Sequence, residues 1–556
     1  MSTVYKEEPE ELDDYLSADG DYDLDHEALV YEELDVDEPA IQEVKDLPTP
    51  IRNFIVVFYQ SFVDNNAARL KTCYEVSFNK LSEKFYKNST WPTASDIAPL
   101  VSNDASFLTF YTEMYYRHLH ARLQPTLEQR SAALNNYVEL FNMLLVQDVF
   151  PQLDLPISWC WDIIDEFIYQ YNSFALYRER ALKDESLSEE ERNILSQPSQ
   201  GWNCYGVFNV LYSMLAKSNI AESSRSKDEG EASASEYDTP HLLKYLGHFS
   251  IVGLLRVHSI LGDFTLALDS MRELDLSKKA PLTMVPAAHI SAYYYVGFAY
   301  MMLRRYVDAI KMFSHGLMYV SRTKQPHSKS VQYQTVARKS DQMYALLAIC
   351  VSLCPVRLDE SLHLSLRDRY GERLTTMQQP TKSALAIFSD LFVFAAPKFI
   401  NPNAPESPLS DSLAHHLMLF LDDVESVLFM PTVRSYLKLY TSMHLSKLAS
   451  FTEIEESRLR EMLMLYNLKS RQKKWVSGEL LSGEEVTSSD VDFYLDGDVL
   501  HINETKAGRR FSDWFLRNIS RLYNVQDTIN SSSKAGQERR SNRKQYKPQR
   551  TEKQAA

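Results

Sequence analysis

LLRVHSILGDFTLALDSM, residues 254–271, and YYYVGFAYMMLRRYVDAIKMF, residues 293–313, align at a spacing of 42 residues. Leu261, Phe264, Ala267, Leu268 and Met271 fall opposite Leu303, Tyr306, Ala309, Ile310 and Phe313. Each copy is an apolar helix, a short turn (Gly262-Asp263 or Arg304-Arg305), an aromatic and a small alanine where two helices touch. This is the grammar of a helix-turn-helix unit that hides its apolar face only when stacked on a neighbour. The pattern predicts a mostly α fold built on a tetratricopeptide-like α-solenoid.

Outward from this pair, the stretch 280–303 is long and poorly charged enough to consider as a membrane span. Pro281, Pro286, His289 and its tyrosines argue instead for a buried repeat helix. Upstream, helical spacing begins with Ile51, Phe54, Ile55, Phe58, Tyr59 and Phe62, and similar runs follow at 74–86, 105–123, 131–147, 157–181 and 203–217. Between them and the repeat pair, residues 218–238 lose all apolar period and read as a disordered loop. Only 15 glycines in 556 residues agree with helix over glycine-hungry sheet folds.

Towards the C-terminus the period changes. Val433 to Met443 reads as one helix and Leu445 to Phe451 as a second, and Thr452 with Glu455 forms a capping-box pattern before a third carrying Leu459, Met462, Leu463 and Tyr466. Val491 to Leu495 and Val499 to Ile502 then flank Asp496-Gly497-Asp498, a hairpin signal. Three short helices and a hairpin spell a winged helix, and Ala507 to Tyr523 adds an amphipathic helix with Trp514 and Phe515.

The net charge of -16 belongs to one end: residues 1–46 hold 18 acidic side chains against Lys6 and Lys45, leaving 57 charges of each sign elsewhere. Such a head cannot hide enough apolar surface to order itself. Residues 531–556 carry eight Lys or Arg against two Glu. Five scattered cysteines are too few for a disulfide framework and point to a reducing compartment.

A helical solenoid running into a winged helix and a last helix resembles the PCI-domain family. WDIIDEFIYQ at 161–170, LLRVHSILGDF at 254–264, YYYVGFAYMMLRRYVDAI at 293–310 and VDFYLDGDVLHI at 491–502 are similar, more narrowly, to the subunit L family of eukaryotic translation initiation factor 3. The resemblance spans about Ile51 to about Tyr523. It implies a non-catalytic cytoplasmic scaffold in a complex that binds the small ribosomal subunit and recruits mRNA, with subunit K and the other subunits as partners. The expected organisation is an acidic disordered tail at 1–46, repeats at 47–308, a PCI domain at 309–515 containing the winged helix 433–503, the end of the last helix at 516–530, and a basic disordered tail at 531–556. A PCI subunit of the proteasome lid or signalosome fits the same plan.

No catalytic, cofactor or metal residue is expected. His118-Leu119-His120 could suggest the metalloprotease pair of sister subunits, but the positions eight and eleven further on are Glu128 and Ser131, and a helix would turn the two rings apart. Cys350 and Cys354, with His363, lack the second close pair that zinc sites bring. Asp162, Asp165 and Glu166 near Trp159 and Trp161 could hold a cation, yet read better as a solvated acidic helix start.

Protein docking is expected at the hairpin residues Phe493, Tyr494, Leu495, Val499, Leu500 and Ile502, together with Trp514 and Phe515. Phe493 with Val499 is expected on one face and Tyr494 with Leu500 on the other. The third helix bears Glu453, Glu455, Glu456 and Glu461 and would repel phosphate, so an RNA contact is expected instead at Lys469, Arg471, Lys473 and Lys474, or at Arg539, Arg540, Arg543 and Lys544 in the tail. A direct RNA-binding protein using these basic segments is the rival function.

Overall fold

A computed structural model describes residues 47–145, 153–183, 189–196, 201–220, 240–274, 281–323, 331–402, 412–487, 491–504, 514–526 and 528–529. The acidic head, the tail basic residues Arg539, Arg540, Arg543 and Lys544, and most of the 218–238 segment lie outside them.

Helix α1, Thr49–Val63, opens with a proline where the first amide needs no helical acceptor, and buries Ile51, Phe54, Phe58 and Phe62. α2, Ala67–Thr72, passes through a π turn at Cys73–Ser77 into α3, Phe78–Phe85. α4, Ala105–Arg122, starts where the Asp104 carboxylate accepts the Ser106 amide at 2.9 Å. α5, Leu127–Leu145, and α6, Ile157–Lys183, complete the first group. Trp159 of α6 gathers it, packing on Phe58, Tyr74 and Phe110 with ring centroids 5.7, 4.9 and 5.7 Å away.

α7, Cys204–Lys217, packs on α8, His241–Leu261. Ser218 and Ile220, expected in a loop, are buried; a Cβ at Gly247 would lie 2.3 Å from the Ser218 hydroxyl, so the absent side chain lets them close on α8.

The repeat pair is α8 with α9, Phe264–Asp269, and α10, Pro286–Met302, with α11, Tyr306–Thr323. Their turns share the same main-chain hydrogen bonds at the 42-residue offset. Gly262 and Arg304 take the left-handed conformation at φ 86° and 61°. The Asp263 amide donates to the His258 carbonyl at 3.0 Å, and the Arg305 amide to that of Tyr300 at 2.8 Å. Ala267 and Ala309 are each fully buried. α10 is buried nearly all round, as the repeat-helix reading requires, and among the described residues no helix is long and apolar enough to cross a membrane. α12, Val331–Leu353, α13, Glu360–Met377, α14, Lys382–Ala395, and α15, Ser412–Leu428, continue the array. α11 runs unbroken through 308 and 309.

Residues 47–429 together with 471–486 form one compact unit; 430–470 and the described residues from 487 onward form a second. The second contains α16, Met430–Leu437, strand β1, Ser442–His444, α17, Leu445–Thr452, and α18, Glu456–Ser470. The ribbon β2, Arg471–Lys474, with β3, Glu484–Thr487, follows, and then β4, Val491–Asp496, and β5, Val499–Glu504. β1, β5 and β4 make an antiparallel sheet in that order, so the unit is a winged helix with β5 at its centre.

Two local expectations are corrected. The helix expected to reach Met443 ends at Leu437, and Met443 pairs with Leu500 because its alternate burial suits a strand. Thr452 caps nothing ahead of it: its hydroxyl donates back to the Leu448 carbonyl at 2.9 Å, and Glu453 at φ 57° closes α17 in the left-handed conformation.

Candidate protein-docking interface

Register decides what the hairpin offers. Phe493 pairs with Ile502, Tyr494 with His501 and Leu495 with Leu500, so paired residues share a face. Val491, Phe493, Leu495, Leu500 and Ile502 therefore line one face, and Phe493 and Leu500 are buried. Tyr494, Val499 and His501 lie on the other. The expected grouping of Phe493 with Val499 and of Tyr494 with Leu500 is thus wrong, because the two-residue loop Gly497-Asp498 puts odd positions of β4 opposite even positions of β5. Gly497 supplies the φ of 59° this loop needs, and the Arg460 guanidinium reaches the Gly497 carbonyl at 3.2 Å and the Asp498 carboxylate.

The outward face is smaller than composition promised. Tyr494 is 62% exposed and its ring stacks on His501, with Asp492 and Asp496 beside it along β4. β4 and β1 are the edges of this sheet, and the Asn467 amide already donates to the Phe493 carbonyl at 3.3 Å. Aspartates beside an edge strand discourage indiscriminate pairing and favour a partner that answers their charge. Trp514 and Phe515, each 57% exposed, stand at the start of a helical stretch at 514–526 whose Leu516, Ile519 and Leu522 are also open. Sequence reading missed Met464, Leu465 and Leu468, exposed on α18. The sequence reading named only Leu459, Met462, Leu463 and Tyr466 on this helix, and Met464, Leu465 and Leu468 fall outside that set.

Of the basic residues, Arg471 and Lys473 are exposed on β2, Lys474 is partly covered, and Lys469 lies in the last turn of α18. β3, which pairs with β2, brings Glu484 and Glu485.

The three carboxylates of α6 are not a solvated helix start. Asp162 accepts a hydrogen bond from the Tyr74 hydroxyl and lies 3.6 Å from the Arg117 guanidinium, which also pairs with the buried Glu113. Asp165 pairs with Arg256, and Glu166 accepts from the Gln170 amide at 2.9 Å. Burial pushes the Asp162 carboxyl up to about 6 and that of Glu166 up to about 8. Their spacing was visible, but Tyr74 in the π turn, Arg117 on α4 and Arg256 on α8, which meet Asp162 and Asp165, were not. Perturbed carboxyls can mark catalysis; here Asp162 and Asp165 are paired with side chains of other elements and Glu166 with Gln170 of its own helix.

His118 is buried, while His120 is held by the Tyr116 carbonyl at 2.9 Å and lowered by burial to about 4. Cys350 and Cys354 are buried in the core and His363 is exposed; none of the five cysteines is in a disulfide. Among the described residues no group of three His, Cys, Asp or Glu is placed to hold a metal ion.

A repeat array continued by a winged helix defines a mostly α, PCI-type subunit. The model of the family described as RNA polymerase I-associated factor PAF67 matches residues 129–522. Eukaryotic translation initiation factor 3 subunit L of Mycosarcoma maydis is 44% identical over 87% of this chain and 74% of its own. The protein of the same name in Yarrowia lipolytica is 45% identical over 89% of this chain and 92% of its own, and that of Aspergillus niger is 50% identical over 72% and 86%. The chain belongs to the family of eukaryotic translation initiation factor 3 subunit L, and is a translation initiation factor subunit.

Proposed function

We propose that this chain is a non-catalytic scaffold of the cytoplasmic initiation factor 3 complex, which supports its assembly with the small ribosomal subunit and the recruitment of mRNA. Subunit K is its neighbour in this reading, and the winged helix is one of the docking surfaces. The observation that carries it is the edge strand β4, which presents Tyr494 between Asp492 and Asp496 beside an inner face already filled by Phe493 and Leu500. Main-chain pairing along an edge supplies hydrogen bonds, and one exposed aromatic supplies apolar area.

Tyr494→Asp with Val499→Asp, in the full chain, tests this. The variant is expected to melt like the parent yet to lose binding to subunit K, or to the rest of the complex, by at least about tenfold, since an interface aromatic contributes on the order of 1–2 kcal/mol or more. Unchanged binding would move docking to the solenoid. Direct RNA contact through Lys469, Arg471, Lys473 and Lys474 is the rival; it predicts binding that weakens steeply with salt and disappears after RNase treatment.

A further inference from the structure

The segment between α18 and β4 does not stay with the winged helix. Residues 471–486 belong to the solenoid unit, where the β2–β3 ribbon and its loop are held on the turn between α10 and α11. Leu480 is buried in the solenoid core, and one guanidinium holds the main chain around it. Arg305 donates to the carbonyls of Leu480, Leu481 and Ser482, each at 3.0 Å, while the Tyr300 hydroxyl donates to Leu480 at 2.8 Å. The Asp308 carboxylate pairs with Arg305 at 2.7 Å and accepts the Trp475 amide at 3.0 Å. Arg305 and Asp308 are buried, so this is an internal, charge-assisted clamp.

The clamp is built where the two repeats differ. Offset by 42 residues, Tyr300, Arg305 and Asp308 correspond to His258, Asp263 and Leu266. The backbone of the two turns is the same, as their matching amide bonds and left-handed residues show. In the first copy Asp263 caps its own helix, accepting the Leu266 amide at 3.0 Å. In the second copy Arg305 stands at the capping position and is aimed at another segment. A repeat that keeps its backbone and exchanges three side chains for a clamp has gained a task beyond stacking.

We propose that residues 471–486 are a latch, and that the Tyr300–Arg305–Asp308 clamp restrains the winged-helix unit by its chain connections. The chain passes between the units at 429/430, 470/471 and 486/487. With the strap clamped, all three passages are anchored in the solenoid; with it released, only the first is. The strap is also an economical place to regulate, since every hydrogen bond it accepts from Arg305 is at a main-chain carbonyl.

Two variants of the full chain test this. Arg305→Gln removes the clamp from the solenoid side. Gly483→Val acts from the strap: a Cβ there would lie 2.7 Å from the Lys474 carbonyl oxygen and 3.2 Å from the Arg305 guanidinium, so the ribbon must shift although the residues Arg305 and Asp308 are kept. Trypsin cleavage after Lys473 and Lys474, followed by mass spectrometry, reports strap opening. A dye attached through Tyr494→Cys, in a Cys204→Ser background, reports winged-helix motion by time-resolved anisotropy. The latch predicts about tenfold faster cleavage in both variants, and a new fast depolarisation of the dye, with the main thermal transition of Gly483→Val unchanged. If Arg305→Gln does not fold, Gly483→Val decides alone. Cleavage as slow as in the parent, or faster cleavage with no change in depolarisation, would overturn the proposal.

Discussion

Glu166 shows how one side chain ties stability to pH. Burial favours its neutral form and raises its carboxyl to about 8, while the neighbouring charge of Glu113 pushes the same way and the Gln170 amide opposes. The folded state thus holds a proton that the unfolded chain releases near its ordinary value. Stability from this group is complete below that ordinary value and is lost as pH rises through about 8. Asp162, raised to about 6, loses its share earlier on the same climb. Glu166→Gln keeps the acceptor and discards the charge, so its thermal midpoint is expected to exceed the parent's at about pH 9 and to converge with it at about pH 5; equal midpoints at both would disprove the burial argument. Ala309 offers a second residue-scale test. It is fully buried against α10, and Ala309→Glu is expected to cost several kcal/mol, on the order of 3–5, in chemical denaturation, as an unpaired charge in a core does. Ala309 was legible in the sequence because a repeat announces its contact positions. The role of the α6 carboxylates was not, because their partners Tyr74, Arg117 and Arg256 lie some 45 to 91 residues away and nothing in the spacing names them.

Among elements, the hairpin separates what alternation tells from what register tells. Alternation along each strand was plain from Val491 to Ile502, but which side of β5 joins which side of β4 depends on loop length, and one residue's difference exchanges the faces. With Gly497-Asp498 as the loop, Leu500 is inside: Leu500→Asp is expected to abolish the cooperative unfolding of the winged helix, seen as lost amide protection in β1, β4 and β5, while the solenoid keeps its own. Protection retained in β5 would mean the register is wrong. The repeat turns were read more securely, since Gly262 and Arg304 occupy the same left-handed position. Gly262→Ala is expected to destabilise by about 1–2 kcal/mol from its backbone alone, and by more from contact, because the new Cβ would sit 2.8 Å from the His416 ring. A neutral substitution would show that the turn relaxes freely.

At the scale of the whole molecule, composition and the 42-residue offset made the solenoid readable, and three short helices before a hairpin made the winged helix readable. The return of residues 471–486 to the solenoid was not readable, for the bonds that fix it run to main-chain carbonyls, which carry no residue identity. Function follows the same division. Apolar faces left open on α18 and along 514–526 suit a subunit made to be covered by neighbours, whereas the basic β2 strand is answered by Glu484 and Glu485 of β3. Protein contacts of this kind weaken little with salt, and phosphate contacts weaken steeply. The central claim, that the chain acts as a protein-docked scaffold of initiation factor 3, is tested most directly by sedimenting tagged full-length chain from RNase-treated cytoplasmic extract at physiological and at high salt. It predicts that the chain travels with the other initiation factor 3 subunits, subunit K among them, under both conditions; a chain that sediments alone once RNA is digested or salt is raised would contradict it.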